Sequence, residues 1–322
     1  MTNTSPKSPP SRYQPGPHWV ALIGAALTWP LLLVGGTVSV YRVGMAVPDW
    51  PKTFGVNMFL YNFWNASWGV FIEHTHRLFG SVLGVACIVL AGWFLMAERR
   101  KWMKVLGVLT LLAVIGQGVL GGLRVRMVST DLAFLHGCTA QLFFALMVAL
   151  CVFTGKSWID APQPPEQEDT RRFRRKGLVT CIKVYAQIVV GAWVRHYGSP
   201  IAVMLHALLA LGVASQIVPL WIRCERRREA FGALVPAARM MFGSLVVQVL
   251  LGIVAWWMLR PFDGIPRGVS SPQANVRILH QGVGAIVLAA TLIFTLRSYR
   301  TLRPATSRVG NPEPADRLEV VA

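Results

Sequence analysis

Long apolar runs alternate with short polar ones along this chain. Eight runs reach the length a membrane span requires, ~20 mostly apolar residues. They fall at 19–41, 70–97, 102–123, 131–154, 177–195, 200–222, 237–259 and 276–297. Lys183 interrupts the fifth near one end, where its long stem lets the ammonium reach the interface. The pattern predicts an all-α integral membrane protein of eight transmembrane helices. A polar, Pro/Ser-rich stretch, 1–18, precedes the first span and reads as a disordered cytoplasmic tail, without the features of a signal peptide. A linker at 155–176 separates an N-terminal unit, 19–154, from a C-terminal unit, 177–297, and a second tail covers 298–322.

Composition agrees with this reading. Hydrophobic residues make up 54% of the chain and charged ones only 14%, against about 25% charged in soluble domains. The formal net charge of +18 would suit nucleic acid, were the basic residues not gathered in short loops. The first tail, the second-to-third, fourth-to-fifth and sixth-to-seventh loops and the last tail hold 22 Lys/Arg, and the opposite set of loops holds eight. Basic loops stay in the cytoplasm, so both termini are expected there and the even-numbered helices run inward from the outer face. The basic flanks suit anionic lipid headgroups, which leaves no call for nucleic acid. Homo-oligomers are compatible with the pattern. Five cysteines occur, Cys87, Cys138, Cys151 and Cys181 within apolar runs and Cys224 in a basic loop, with no CxxC. They predict no disulfide.

Ionisable side chains in spans mark function by default, because burying them in lipid is expensive. His74 and His76 open the second span, and His136, His206 and His280 open the fourth, sixth and eighth. At the helical rise these positions lie roughly 8 Å in from the outer end, all at similar depth. Four residues after each of His76, His136, His206 and His280 comes Gly or Ala: Gly80, Ala140, Ala210 and Gly284. On the preceding helices Gln117, Gln187 and Gln248 stand four residues before Gly121, Gly191 and Gly252, with Leu31 and Gly35 at the matching places of the first span. Gln117 to His136 and Gln187 to His206 are both separations of 19 residues. The two units therefore read as copies of one four-helix bundle, related by a pseudo-two-fold axis along the membrane normal.

A lone intramembrane histidine is often a cross-helix hydrogen-bonding group. Four at one depth in a repeat point instead to iron-bound macrocycles. Zinc or copper would ask for Cys, Met or carboxylate partners, whereas heme accepts two facing imidazoles. A small residue one turn away leaves room for the flat ring, and arginines at the outer helix ends suit its propionates. Two pairs would hold two hemes, with the imidazoles as axial ligands of the iron. His74 lies two residues from His76 and so faces nearly the opposite way. Glu73, His76, Arg77 and Gly80 share one face, which makes His76 the ligand and points His74 at a neighbouring helix or the interface.

The Glu-x-x-His-Arg motif of 73–77 and the single histidines opening the later even-numbered spans resemble the heme A synthase family. So do the segment GMAVPDWPKTFG at 44–55 and the glycine pairs Gly35–Gly36 and Gly121–Gly122. The resemblance covers roughly residues 19–297. It implies oxidation of a methyl group of heme O, the substrate, to a formyl group, giving heme A for terminal oxidases. It also implies a resident heme b, heme ligation by His76, His136, His206 and His280, and Glu73 as the essential acid. Heme O synthase and an electron donor are the implied partners. Outer-loop cysteine pairs found in many bacterial members are absent, which is similar to a cysteine-free mitochondrial and proteobacterial branch.

The two units differ where chemistry would occur. Glu73 and Arg77 correspond to Val203 and Ala207. The first unit also carries an aromatic loop with Phe59, Tyr61, Phe63, Trp64 and Trp68, either a lid over an apolar substrate or an aromatic belt at the headgroups. The first unit is therefore the expected site of chemistry, with Glu73 and Arg77 as its catalytic pair, and the second the expected seat of a relay heme b. Two other readings use the same histidines: a di-heme b-type cytochrome that only carries electrons, and a heme transporter or chaperone without chemistry.

Overall fold

The computed structural model describes residues 13–162, 166–167, 170–258 and 268–304. Eight long helices dominate it: α1 (Pro15–Val40), α2 (Trp68–Ala97), α3 (Lys101–Arg126), α4 (Thr130–Thr154), α5 (Thr170–Tyr197), α6 (Pro200–Arg226), α7 (Val235–Met258) and α8 (Ser271–Thr301). All eight are long and apolar enough to cross a bilayer, and the protein is a multi-pass membrane protein.

Most helices outrun their apolar cores, for reasons visible in the flanking residues. α5 starts at Thr170 rather than 177, because the RRFRRK stretch is made of good helix formers. Phe173 in that stretch is buried and stacks on Phe231 at 4.3 Å. α8 starts at Ser271 rather than 276, with the Gln273 side chain accepting the Ser270 N–H at 3.0 Å. Ser199 caps α6 by accepting the N–H of Ala202, with Pro200 in the first turn. α1 begins at Pro15, so the expected tail of 1–18 gives up its last four residues to the helix, and α8 continues to Thr301 inside the expected tail of 298–322. The remainder of those tails, 1–12 and 305–322, lies outside the described residues, as does 259–267 with Arg260 and Arg267. The longer even-numbered helices set the histidines deeper than the expected 8 Å, at roughly 9–14 Å from the helix starts.

Within the first half α1 packs on α2 and α4, and α3 packs on the same two. In the second half α5 and α7 each pack on α6 and α8. Each half is thus a ring of four helices closed in chain order. Apolar side chains fill the end of each ring nearest the basic loops. Leu83, Leu90, Phe94 and Met103 do so in the first, and Phe173, Leu234, Met241 and Phe294 in the second. The histidines occupy the other end. The seam between halves is formed by α8 on α1 and α4, and by α4 on α5. Leu32, Phe144, Val148, Ala285 and Ala289 pack there, and the Trp29 indole N–H donates to the Gly282 carbonyl at 3.0 Å.

Candidate functional site

The histidines meet in two pairs, one per ring. The ring centroids of His76 and His136 are 6.4 Å apart, and those of His206 and His280 are 6.1 Å apart. Each imidazole fits against a glycine of the preceding helix. A Cβ at Gly35 would lie 3.2 Å from His76 Cε1, at Gly121 3.4 Å from His136, at Gly191 2.9 Å from His206 and at Gly252 3.0 Å from His280. Real Cβ atoms seldom approach so closely, so the glycines four residues after the repeated Gln/Leu position make room for the rings. The second glycine of each pair admits something else. Gly36 faces Gln281, and Gly122 lies under the Trp50 ring, 2.2 Å from where a Cβ would be.

The surroundings test whether these pairs suit heme. The Nδ1 atoms of His76, His136, His206 and His280 are buried without a hydrogen-bond partner. Backbone carbonyls of Gln117, Gln187 and Gln248 lie near the last three imidazoles without closing such bonds. A carbonyl there favours the tautomer with its proton on Nδ1 and leaves Nε2 to ligate. Two metal–nitrogen bonds of ~2 Å, with the ring radii added, set the centroids of opposed imidazoles about 6 Å apart. Among the described residues no group of three His, Cys, Asp or Glu side chains could hold a metal ion; a macrocycle that brings its own nitrogens would need only the two histidines. The repeated glutamines differ in contact: Gln117 donates to Thr139 Oγ1 at 2.7 Å, Gln187 to the His206 carbonyl at 2.8 Å, and the Gln248 amide lies 3.3 Å from His280 Nε2. A Cβ at Gly80 would meet nothing within 4 Å, whereas one at Gly284 would meet Gln248.

Among the described residues, only the first pair has a carboxylate beside it. Glu73 is buried, and its two oxygens accept from Arg77 at 2.8 Å and from the Val47 N–H at 3.0 Å. Arg77 extends further, donating to the carbonyls of Asp49, Lys52 and Val47 at 2.7, 3.0 and 3.0 Å. This pair therefore fastens the segment 44–55 onto the open end of the first ring. Val47 and Thr53 are fully buried there. Asp49 staples the turn by accepting the N–H groups of Phe54 and Gly55, both at 2.8 Å. Partial burial pushes its carboxyl up, and the Gly55 and Phe54 N–H groups with nearby Arg77 outweigh that, holding it below the usual carboxylate range. Sequence reasoning missed Val47, Asp49 and Trp50 as structural members of the site. Their signal was the unusual polar segment between two spans, quoted above without a contact assigned to it.

His74 faces the outer segment rather than a neighbouring long helix. It is fully buried beneath the same outer segment, with Nδ1 3.2 Å from Thr53 Oγ1 and its ring against Tyr61 and Phe63. The aromatic loop is thus partly folded onto α2 through Phe63 and Tyr61, while Phe59, Leu60 and Trp64 stay exposed. In the second ring Arg195 donates to Gln281 Oε1 and approaches the Arg277 carbonyl at 3.4 Å.

The fold and its paired histidines define a polytopic helical membrane protein of two four-helix rings, each with one inward-facing imidazole pair. Residues 17–203 match the profile of COX15-CtaA, the cytochrome oxidase assembly proteins, and the chain belongs to that family. It is 30% identical over 177 residues to a heme A synthase of Exiguobacterium sibiricum, covering 53% of this chain and 57% of the relative. It is 28% identical over 228 residues to a heme A synthase of Exiguobacterium sp. strain AT1b, covering 68% and 66%. A heme A synthase of Halalkalibacterium halodurans shares 28% identity over 155 residues, covering 48% and 50%. The chain thus spans between half and two thirds of the length of these relatives.

Proposed function

We propose that the protein is a heme A synthase, oxidising a methyl group of heme O to a formyl group and so supplying heme A to terminal oxidases. The observation that carries this reading is the inequality of two otherwise repeated histidine pairs. His76–His136 has a buried carboxylate and arginine beside it, and His206–His280 has Val203 and Ala207 at the same places. In this reading His76 and His136 hold the exchangeable substrate, and His206 and His280 hold a resident heme b that relays electrons. Bound heme supplies the redox chemistry that side chains lack. The chain's own contribution is positioning. Gly35, Gly121, Gly191 and Gly252 seat the ligand imidazoles, and Trp50 and Val47 exclude water from the end of the first ring. Each oxygen of Glu73 keeps a second lone pair, so the carboxylate can take up a proton released as the methyl carbon is oxidised while Arg77 fixes its position. The distribution of basic residues supports a topology with both termini in the cytoplasm and both histidine pairs in the outer leaflet. The two rings are copies of one unit about an axis along the membrane normal. Heme O synthase is the natural donor of substrate, and a separate electron carrier completes the reaction.

Mass analysis of hemes extracted after co-expression with a heme O synthase tests this directly. Formyl heme, or its hydroxymethyl precursor, is expected only with the intact protein. Recovery of unmodified heme alone would make the protein a di-heme cytochrome or a heme carrier.

A further inference from the structure

A cavity of about 230 Å³ opens at the histidine end, on the seam between the two rings. Its walls come from the ends of α1, α3 and α4 and from His196 of α5. Arg42, Arg124 and His196 line it together with the hydroxyls of Ser39, Ser129 and Thr130, and no acidic side chain does. Among the described residues neither arginine is paired with a carboxylate, and the Glu73 carboxylate is already engaged by Arg77. Arg124 is partly buried and Arg42 is exposed; Glu73 acts on Arg124 through space, but no acidic side chain enters the cavity, so its lining favours an anion.

Its position identifies the anion. Ser39 follows Gly35, the glycine against His76, by four residues, and Ala133 of the cavity wall precedes His136 by three. Arg124 follows Gly121, the glycine against His136, by three. Three helices thus set the cavity one turn, ~5 Å, beyond the first histidine pair. The Arg124 guanidinium is within electrostatic range of both imidazoles and of His196. In the second ring Arg195, by contrast, is closed onto Gln281.

We infer that this cavity is the carboxylate-binding subsite of the exchangeable macrocycle, with Arg124 and Arg42 taking its propionates. This rests on the assignment of His76 and His136 as the substrate pair. Charge-assisted bonds from a fixed guanidinium give both affinity and orientation, so the subsite decides which edge of the ring faces the loop segment and which methyl is presented for oxidation. An arginine that waits for a carboxylate suits a ligand that comes and goes, whereas the closed Arg195 suits a ligand that stays.

The test uses the full-length protein in nanodiscs of zwitterionic lipid and two probes, ferric protoporphyrin IX and its dimethyl ester. Binding at the first ring is followed optically, with the spectrum of any heme already resident as internal control. The wild type should bind the free acid at least tenfold more tightly than the ester. Arg124→Gln should weaken the free acid by about tenfold and leave the ester unchanged, with Arg124→Lys restoring part of the loss. Arg42→Gln, on a different element, should act in the same direction without touching α3. Equal affinity for acid and ester in the wild type would overturn the subsite, as would equal losses for both probes in the variants. Unchanged heme affinity with loss of co-purified phosphatidylglycerol would likewise overturn it, by making the cavity a lipid headgroup site. His76→Ala and His136→Ala distinguish the two levels of the argument: if they leave probe binding intact, it is the assignment of the pair that fails.

Discussion

Among the described residues a single carboxylate, Glu73, distinguishes the two histidine pairs, and its surroundings make a sharp prediction. Replacing Glu73 by Ala would strand the Arg77 guanidinium in a buried site, at a cost of about 3–5 kcal/mol. Glu73→Gln is the cleaner change, because the amide oxygen can still accept the Val47 N–H and Arg77 keeps its three backbone carbonyls. The variant should retain bound heme while formyl-heme production falls by about a hundredfold or more, as expected when a proton-handling group is lost. Normal product formation by Glu73→Gln would make the carboxylate purely a fastener. That fastening role was not legible in the sequence. Glu73, His76 and Arg77 were identifiable from helical spacing, but the partners of Glu73 and Arg77 are backbone groups of a loop some thirty residues earlier, and backbone acceptors leave no mark in a residue pattern. His74 likewise has a partner outside its own helix, the Thr53 hydroxyl, which no helical spacing reveals.

At the scale of the helix the repeated glycines carry the clearest consequence. Gly191→Ala would place a methyl 2.9 Å from His206 Cε1, whereas a Cβ at Gly212, on α6, would meet nothing within 4 Å. Gly191→Ala should therefore lower heme content and shift or erase the optical signature assigned to the second ring. Gly212→Ala should leave it unchanged and stabilise the helix by up to ~1 kcal/mol. Heme-to-protein ratio and thermal unfolding of the two variants check both statements. The eight spans were readable because apolar runs of this length have one solution in lipid. Their ends were not, since charged residues such as those of 171–176 continue a helix into the headgroup zone without changing its hydrogen bonding. The segment 44–55 was the least readable element: it has no periodicity, and its fold is dictated by Trp50 lying on Gly122 and Arg77 reaching across to it.

For the whole molecule, orientation and division of labour are the quantities to measure. A reporter fused after the last residue should behave as cytoplasmic, and one inserted at Gly268 should behave as outer-facing. The opposite result would move the histidines to the inner leaflet. The inequality of the rings predicts that His206→Ala and His280→Ala strip a resident low-spin heme b. His76→Ala and His136→Ala should leave its spectrum largely intact and abolish conversion of heme O. Optical spectra and extracted heme content of the four variants decide this, and equal loss of heme b in all four would overturn the division.

The seam has a further consequence. Its three helix pairings are α4 with α8, α1 with α8, and α4 with α5. Counted within each ring, these are fourth helix on fourth, first on fourth and fourth on first, the set that a self-complementary patch would make with a second copy of itself. If these packed helices carry the assembly, the linker at 155–169 is not needed to hold the halves together. A chain severed there and expressed as two fragments should reassemble in the membrane with its seam intact, which co-purification of the fragments would detect.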